Sequence, residues 1–210
     1  MPTDDFNRAN DGLGTDWVVD IGTGQISGSR AKFTGNEAPN VARWGTALAT
    51  SDHSSQIENW VRSNYSGPSV RGTSAGGTAR FVAALLQGAG NNYVQTFKRN
   101  ANTWTQLASG AITYATGAAI KLDGVGSGTG TFTAYYDGTA LTTANHSDTS
   151  LDTLLFTGFV TQDSTAELDN WLGTLLGTGT GTVFNLERIE RHALRGVERG
   201  VLRGVLTWLT

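Results

Sequence analysis

The sequence predicts an all-β fold, a two-sheet antiparallel sandwich, followed by a C-terminal amphipathic α-helix. Three observations carry the prediction. Glycine occurs 28 times against three prolines and one methionine, with abundant Thr and Ser, a composition that supplies positive-φ turns and β-favouring side chains rather than helix. Short apolar stretches bounded by glycine and polar turns recur over residues 1–172. A tetrapeptide repeat of helical period closes the chain.

The stretch Asp4-Asp5-Phe6 through Trp17 and the late stretch Ala166-Glu167-Leu168-Asp169-Asn170-Trp171 hold apolar rings that need a common core. Pairing the first strand with the last closes the sandwich and brings Asp4, Asp5 and Asp169 near one another. Between them, Trp17-Val18-Val19 and Ile26 to Phe33 read as strands around the turn Gly22-Thr23-Gly24. Ser55 to Arg62 is a further strand, with Ile57 and Val61 on the face opposite Trp60. The apolar run Ala79 to Leu86 fits a buried strand, given its length and the preceding Gly76-Gly77. Tyr93 to Lys98 and Thr103 to Leu107 form a hairpin. Ile120 to Leu122 and Thr131 to Tyr136 flank the glycine-rich Gly124 to Gly130, and Asp137-Gly138 is a tight hairpin turn. With Phe156 to Val160, about a dozen strands at this spacing require two packed sheets. A chain of 210 residues is long enough to bury one large sandwich core.

Charge and cysteine usage exclude several classes. The formal net charge is −3, which gives no sign of nucleic-acid binding. It is unevenly placed: residues 186–210 hold five Arg against three Glu, or +2, which leaves −5 for the first 185. Cysteine is absent, so disulfides and thiolate metal sites are excluded. Met1 to Asp5 lacks the basic start and apolar stretch of a secretory signal, and no run of 18 apolar residues is long enough to span a membrane.

Candidate chemistry is sparse. His53, His146 and His192 form no zinc pattern and read as surface residues. Gly124 to Gly130 lacks the Gly-Lys-Ser/Thr ending of a phosphate loop and reads as a hairpin connection. Glu167-Leu168-Asp169 resembles the start of the Glu-x-Asp-x-x-Glu strand of one group of sandwich glycanases, but Leu172 stands where the second catalytic carboxylate belongs. The expectation is therefore a protein that is not an enzyme. Asp4, Asp5, Asp169 and Asn170 could together supply oxygen ligands to a Ca²⁺ ion, or simply cap strand ends in water. Trp17, Trp60 and Trp171 read as core. Trp44 and Trp104, in more polar settings, are the candidates for stacking on a sugar ring, the alternative being rim packing.

Gly173 through Thr182, largely Gly and Thr, reads as a connector to the segment 183–210. There Arg195-Gly196-Val197-Glu198, Arg199-Gly200-Val201-Leu202 and Arg203-Gly204-Val205-Leu206 repeat. At 100° per residue, four residues advance a position by about 40°, so arginines gather on one side and Val197, Val201, Val205 and Trp208 on the other. Each interior glycine costs about 1 kcal/mol relative to Ala. Close packing against a partner is the compensation that glycines four apart permit. Val197, Gly200, Val201, Gly204, Val205 and Trp208 are accordingly the expected contacts for oligomerisation or attachment. Folding back on the sandwich and interfacial membrane binding are the alternatives.

Asp5-Phe6-Asn7-Arg8-Ala9-Asn10-Asp11-Gly12-Leu13-Gly14 through Trp17, with Gly24, Ile26-Ser27 and Arg30, resembles the start of concanavalin A-like, laminin-G-type jelly-roll domains common in bacteriophage structural proteins. Tyr135-Tyr136-Asp137-Gly138 resembles the later hairpin of that family, and Ala166 to Trp171 its closing strand. The resemblance covers residues 4–172. It implies a two-sheet jelly roll on a virion surface, as a minor tail protein or capsid decoration with some glycan affinity. Its expected partners are further copies of itself, other virion proteins and a host surface glycan. The rival expectation is a free carbohydrate-binding protein or glycan hydrolase.

Overall fold

The computed structural model describes residues 1–35, 39–61, 64–73, 79–88 and 92–176. Within them fifteen strands form two antiparallel sheets. The eight-stranded sheet runs β3 (Gly24–Ile26), β4 (Ala31–Phe33), β15 (Glu167–Leu175), β6 (His53–Val61), β11 (Ala118–Val125), β12 (Gly130–Tyr136) and β13 (Thr139–His146), with β1 (Thr3–Asp4) added on β15. The seven-stranded sheet runs β2 (Trp17–Ile21), β5 (Asn40–Trp44), β14 (Phe156–Thr161), β7 (Ser66–Gly72), β8 (Phe81–Leu86), β9 (Tyr93–Asn100) and β10 (Thr103–Ala111).

The first and last strands do pair. Thr3 lies opposite Leu172 and Asp4 opposite Trp171, and Phe6 and Trp171 are fully buried in one apolar cluster with Trp17, Ile57 and Phe159. A second interior cluster, built on Val82, Ala84, Leu86, Ile120, Leu122 and Phe132, fills the other part of the sandwich. Alternation along β8 sends Val82, Ala84 and Leu86 into that interior and Phe81, Ala83 and Leu85 to the outer face, where they join Phe97 and Trp104. This two-sided apolar character is why Phe81 to Leu86 reads as an uninterrupted hydrophobic run. Asp137 and Gly138 both adopt positive φ, 47° and 81°, the geometry of a two-residue hairpin turn whose twist matches its strands.

Four expectations need correction. Ile26 to Phe33 is not one strand: Ser27 donates its N–H to Arg30 O at 2.9 Å and turns the chain between β3 and β4. Trp60 is not core. The alternation that points Ile57 and Asn59 inward leaves Trp60 half-buried on the outer face, under the Arg30 guanidinium at 4.4 Å. His53 is buried rather than at the surface. Gly173 to Leu175, expected to begin the connector, complete β15 against Ser55, Ser54 and His53 of β6. The remainder of the connector from 177, and the helix with Val197, Gly200, Val201, Gly204, Val205 and Trp208, lie outside the described residues.

Candidate functional site

Three tryptophans meet where the sandwich closes. Trp171 is fully buried and its Nε1 donates to Ser55 Oγ at 2.9 Å. Trp44, at the end of β5, stacks on it with ring centroids 5.3 Å apart and planes 18° from parallel. Trp17 meets both edge-on, at 5.5 Å from Trp44 and 4.7 Å from Trp171. Such edge and offset-stacked contacts fix ring orientation as well as burying area.

Asp4 ties the segment before Trp17 to this cluster. Its carboxylate accepts from Arg8 Nη1 at 2.6 Å and Nη2 at 2.9 Å, from Trp17 Nε1 at 2.7 Å and from the Phe6 N–H at 2.8 Å. Arg8 Nη2 also donates to Leu13 O, so the segment loops back on itself. Burial opposes ionisation of Asp4, but the hydrogen bonds from Arg8, Trp17 and Phe6 outweigh it and hold the carboxyl below the usual range.

Beside this knot lies a cleft of about 330 Å³, bordered by Thr3, Asp4, Arg8, Thr15, Asp16 and Trp44. The Trp44 ring, with one face against Trp171, forms part of its wall. Asp16 is held by its carbonyl, which accepts from the Gly45 N–H at 2.7 Å. Its exposed carboxylate makes no hydrogen bond to a described residue. An indole, an exposed carboxylate and threonine hydroxyls around one concavity suit a ligand that is apolar on one side and hydroxylated on its edge. Of the residues bordering this cleft, Trp44 was a candidate from the sequence and Asp16 and Arg8 were not; the Asp4 to Arg8 spacing was the available signal for the second.

The other expected site residues form no common site, although the β1–β15 pairing brings Asp5 within electrostatic reach of Asp169. Asp4, Asp5, Asp169 and Asn170 do not converge on a shared cation. Asp4 is enclosed by the donors above, Asp5 accepts from the Asn7 N–H at 3.0 Å, and Asp169 accepts from the Asn170 N–H at 2.8 Å. A register shift between Asp169 and Leu172 turns Asn170 to positive φ, where its side chain donates to Glu58 Oε2 at 2.8 Å. Among the described residues no group of three or more His, Cys, Asp or Glu is placed to hold a metal. Trp104 sits far from Trp44 in the strand order, on β10 at the opposite margin of the seven-stranded sheet, with Phe81 and Phe97 against it at 5.6 and 5.8 Å. The two tryptophans therefore cannot grip one sugar ring together.

Glu167 is held between Arg30 Nη1 and Lys32 Nζ, each at 2.6 Å. Burial works against its charge, and the hydrogen bonds from Lys32 and Arg30 overcome that, keeping the carboxyl below its ordinary range. A group so held is a poor proton donor. Its neighbour Asp169 is raised instead, first by burial and then by the Glu58 carboxylate across the β6–β15 pair.

A second polar cluster escaped sequence reasoning. Arg71, fully buried and at φ 51°, donates to Asp152 Oδ1 at 3.0 Å, Gly126 O at 2.5 Å and Ser51 O at 3.2 Å, with Asp52 Oδ1 3.6 Å away. The amides of Gly126 and Gly128 complete the carboxylates, donating to Asp52 at 2.8 Å and Asp152 at 2.6 Å. The glycine-rich loop between β11 and β12 is thus bound to the sandwich by a buried cation rather than poised to cradle phosphate. His53 joins the cluster, accepting from the Arg71 N–H at 2.9 Å, and burial lowers its pKa to about 4. It is held neutral with no nucleophile bonded to it.

No protein-family model matches the chain, and no curated protein does. Solved structures with the same architecture are numerous. The carbohydrate-binding module CBM66 from Bacillus subtilis aligns at a TM-score of 0.60 and 13% identity, over 76% of this chain and 96% of that one. The exoplasmic/lumenal domain of VIP36, in its Ca2+/Man3GlcNAc-bound form, aligns at 0.54 and 11% identity over 79% of this chain and 86% of that one. The GH43 BlXynB protein from Bacillus licheniformis aligns at 0.57 and 13% identity over 83% of this chain, which spans only 39% of that protein. At these identities the likeness is one of fold, and the fold is a lectin-like jelly-roll sandwich of the concanavalin A type. Nothing in these likenesses points to a bacteriophage origin.

Proposed function

We propose that this chain is a non-catalytic glycan-binding module whose primary site is the cleft beside Trp44. The observation that carries the reading is the juxtaposition of Trp44 with the exposed Asp16 carboxylate, beside the Arg8 guanidinium whose charge it supports, in that cleft. The C–H face of a neutral sugar ring would lie on the indole, while vicinal hydroxyls donate to Asp16. The fold likeness to a carbohydrate-binding module and a lectin domain supports this choice of ligand class. The non-catalytic half of the reading is supported by Glu167, whose carboxylate is engaged by Arg30 and Lys32, and by Leu172, which stands where a second catalytic carboxylate would belong.

The test is calorimetric titration of the intact chain with a panel of neutral oligosaccharides. Binding should weaken about tenfold in Asp16→Asn, the value of a hydrogen bond to a charged acceptor, with the melting temperature unchanged. Equal affinity in wild type and variant would remove the cleft as the site.

The attachment role of residues 183–210 stands beside this as a proposal of its own, supported by the Arg-Gly-Val repeat. A module carried on a larger assembly, whether a virion or another particle, would use the sandwich to touch a glycan and the repeat to hold its place.

A further inference from the structure

Arg99, in β9, is only 4% exposed and pairs with no carboxylate among the described residues. Its Nη1 donates to Ala79 O at 3.1 Å and its Nη2 to the amide oxygen of Asn102 at 3.3 Å, while its Nε has no partner. The rings of Phe81 and Trp104 lie 5.8 and 5.9 Å from Cζ. The contrast with the other well-buried arginines is informative. Arg71 is ringed by Asp52 and Asp152, and Arg43 holds Asp20 at 3.0 Å. A buried guanidinium without an anion is costly, and here burial lowers its proton affinity with no opposing charge.

The unsatisfied donor is itself buried, and displacement of the Asn102 side chain is what would open it to a ligand. Nε and Nη2 form one edge of the guanidinium, the fork that accepts a carboxylate through two parallel hydrogen bonds. Only the Asn102 amide occupies that edge, and Asn102 lies on the exposed turn between β9 and β10. Trp104, directly opposite Arg99 in the β9–β10 register and half-buried, offers a ring beside the same turn.

We propose that Arg99 and Trp104 form a second subsite, selective for a uronic acid, in which the sugar ring lies on Trp104 and its carboxylate displaces the Asn102 amide from the Nε and Nη2 edge. The inference builds on the glycan-binding reading but places the acidic sugar on different residues, at the opposite margin of the seven-stranded sheet from the Trp44 cleft.

The experiment titrates the intact chain with trigalacturonate and with its methyl ester, which keeps the rings and removes the charge. The acid should bind about tenfold or more tightly than the ester, the worth of a charge-assisted pair, and Trp104→Ala should lose that preference. Asn102→Asp supplies the missing anion from within the chain. It should raise the melting temperature and abolish the preference for the acid, while leaving neutral-sugar binding at the Asp16 cleft unchanged. Equal binding of acid and ester by the wild type, or a preference that survives Asn102→Asp, overturns the inference without touching the cleft. Loss of neutral-sugar binding in Asp16→Asn remains the separate measure of the primary reading.

Discussion

The main-chain N–H of Arg71 donates to Nε2 of His53 across 2.9 Å, which requires the His53 proton to sit on Nδ1, where it faces Thr50 O at 3.0 Å. Both ring nitrogens are therefore committed in the neutral form, and protonating Nε2 breaks the bond to Arg71. Burial, and secondarily the positive charge of Arg71, lower the folded pKa to about 4, below the 6.5 of an exposed imidazole. Because the folded value is the lower one, this group's stabilisation is complete above pH 6.5 and is lost as pH falls toward 4. Urea unfolding should show a loss of about 2 kcal/mol between pH 7 and pH 5, and His53→Gln should flatten that slope. An unchanged slope would show that His53 is not the group titrating in this window, since Asp4, Asp148 and Glu167, whose carboxyls are held low, lose their contributions further into acid.

Arg71→Met removes the cation that Asp52 and Asp152 share while keeping an apolar side chain of similar length. Two partly buried carboxylates are left facing each other, and breaking such a pair from one side costs about 3–5 kcal/mol. Thermal unfolding should report that loss. Amide exchange at Gly126 and Gly128, whose N–H groups are held by those carboxylates, should accelerate more than exchange in β6. Arg71→Lys should not restore stability, since a single ammonium cannot reach Ser51 O, Gly126 O and Asp152 at once.

Glu167→Gln discriminates a structural carboxylate from a catalytic one. Its two ion pairs are partly solvent-exposed, so the variant should lose about 1 kcal/mol or less of stability. Glycan affinity should be unaltered. A hydrolytic activity present in the wild type and absent from the variant would contradict the non-catalytic reading.

Ending the chain at Leu176 should leave a folded sandwich, because residues Met1–Gly177 form one unit by themselves. Its melting temperature should match that of the intact chain within a few degrees. Sizing by light scattering should show the intact chain larger than the monomer and the shortened one monomeric. Equal sizes would remove the attachment role proposed for Val197, Gly200, Val201, Gly204, Val205 and Trp208.

The parts of the fold legible in the sequence were those written in local pattern. Alternation and glycine turns located most strands, and the need of Phe6, Trp17 and Trp171 for a common core was enough to pair the ends of the sandwich. What failed depended on register. The shift between Asp169 and Leu172 is invisible in the residue order, and it turns Asn170 toward Glu58 instead of toward Asp4. Trp60 looked like core because it is an indole in an apolar strand, yet the phase of β6 was set by Ile57 and Asn59. The Arg71 cluster draws its members from positions as separate as 52, 71, 126 and 152, and only tertiary closure brings them together. Asp16 was hidden for a related reason: its meaning depends on Trp44, which reaches it through the β2–β5 pairing that sets Trp17 opposite Trp44.

The seam between β1 and β15 has a mechanical consequence. Thr3 faces Leu172, Asp4 faces Trp171, and the Gly173 N–H donates to Pro2 O at 2.9 Å, so both strand ends depart from the same side. Tension drawn between them would load these bonds one after another, as a zip opens, rather than all at once in shear. β1 would peel away first while β15 stayed anchored on β6, and the Asp4–Arg8 clasp would be the next to feel the pull.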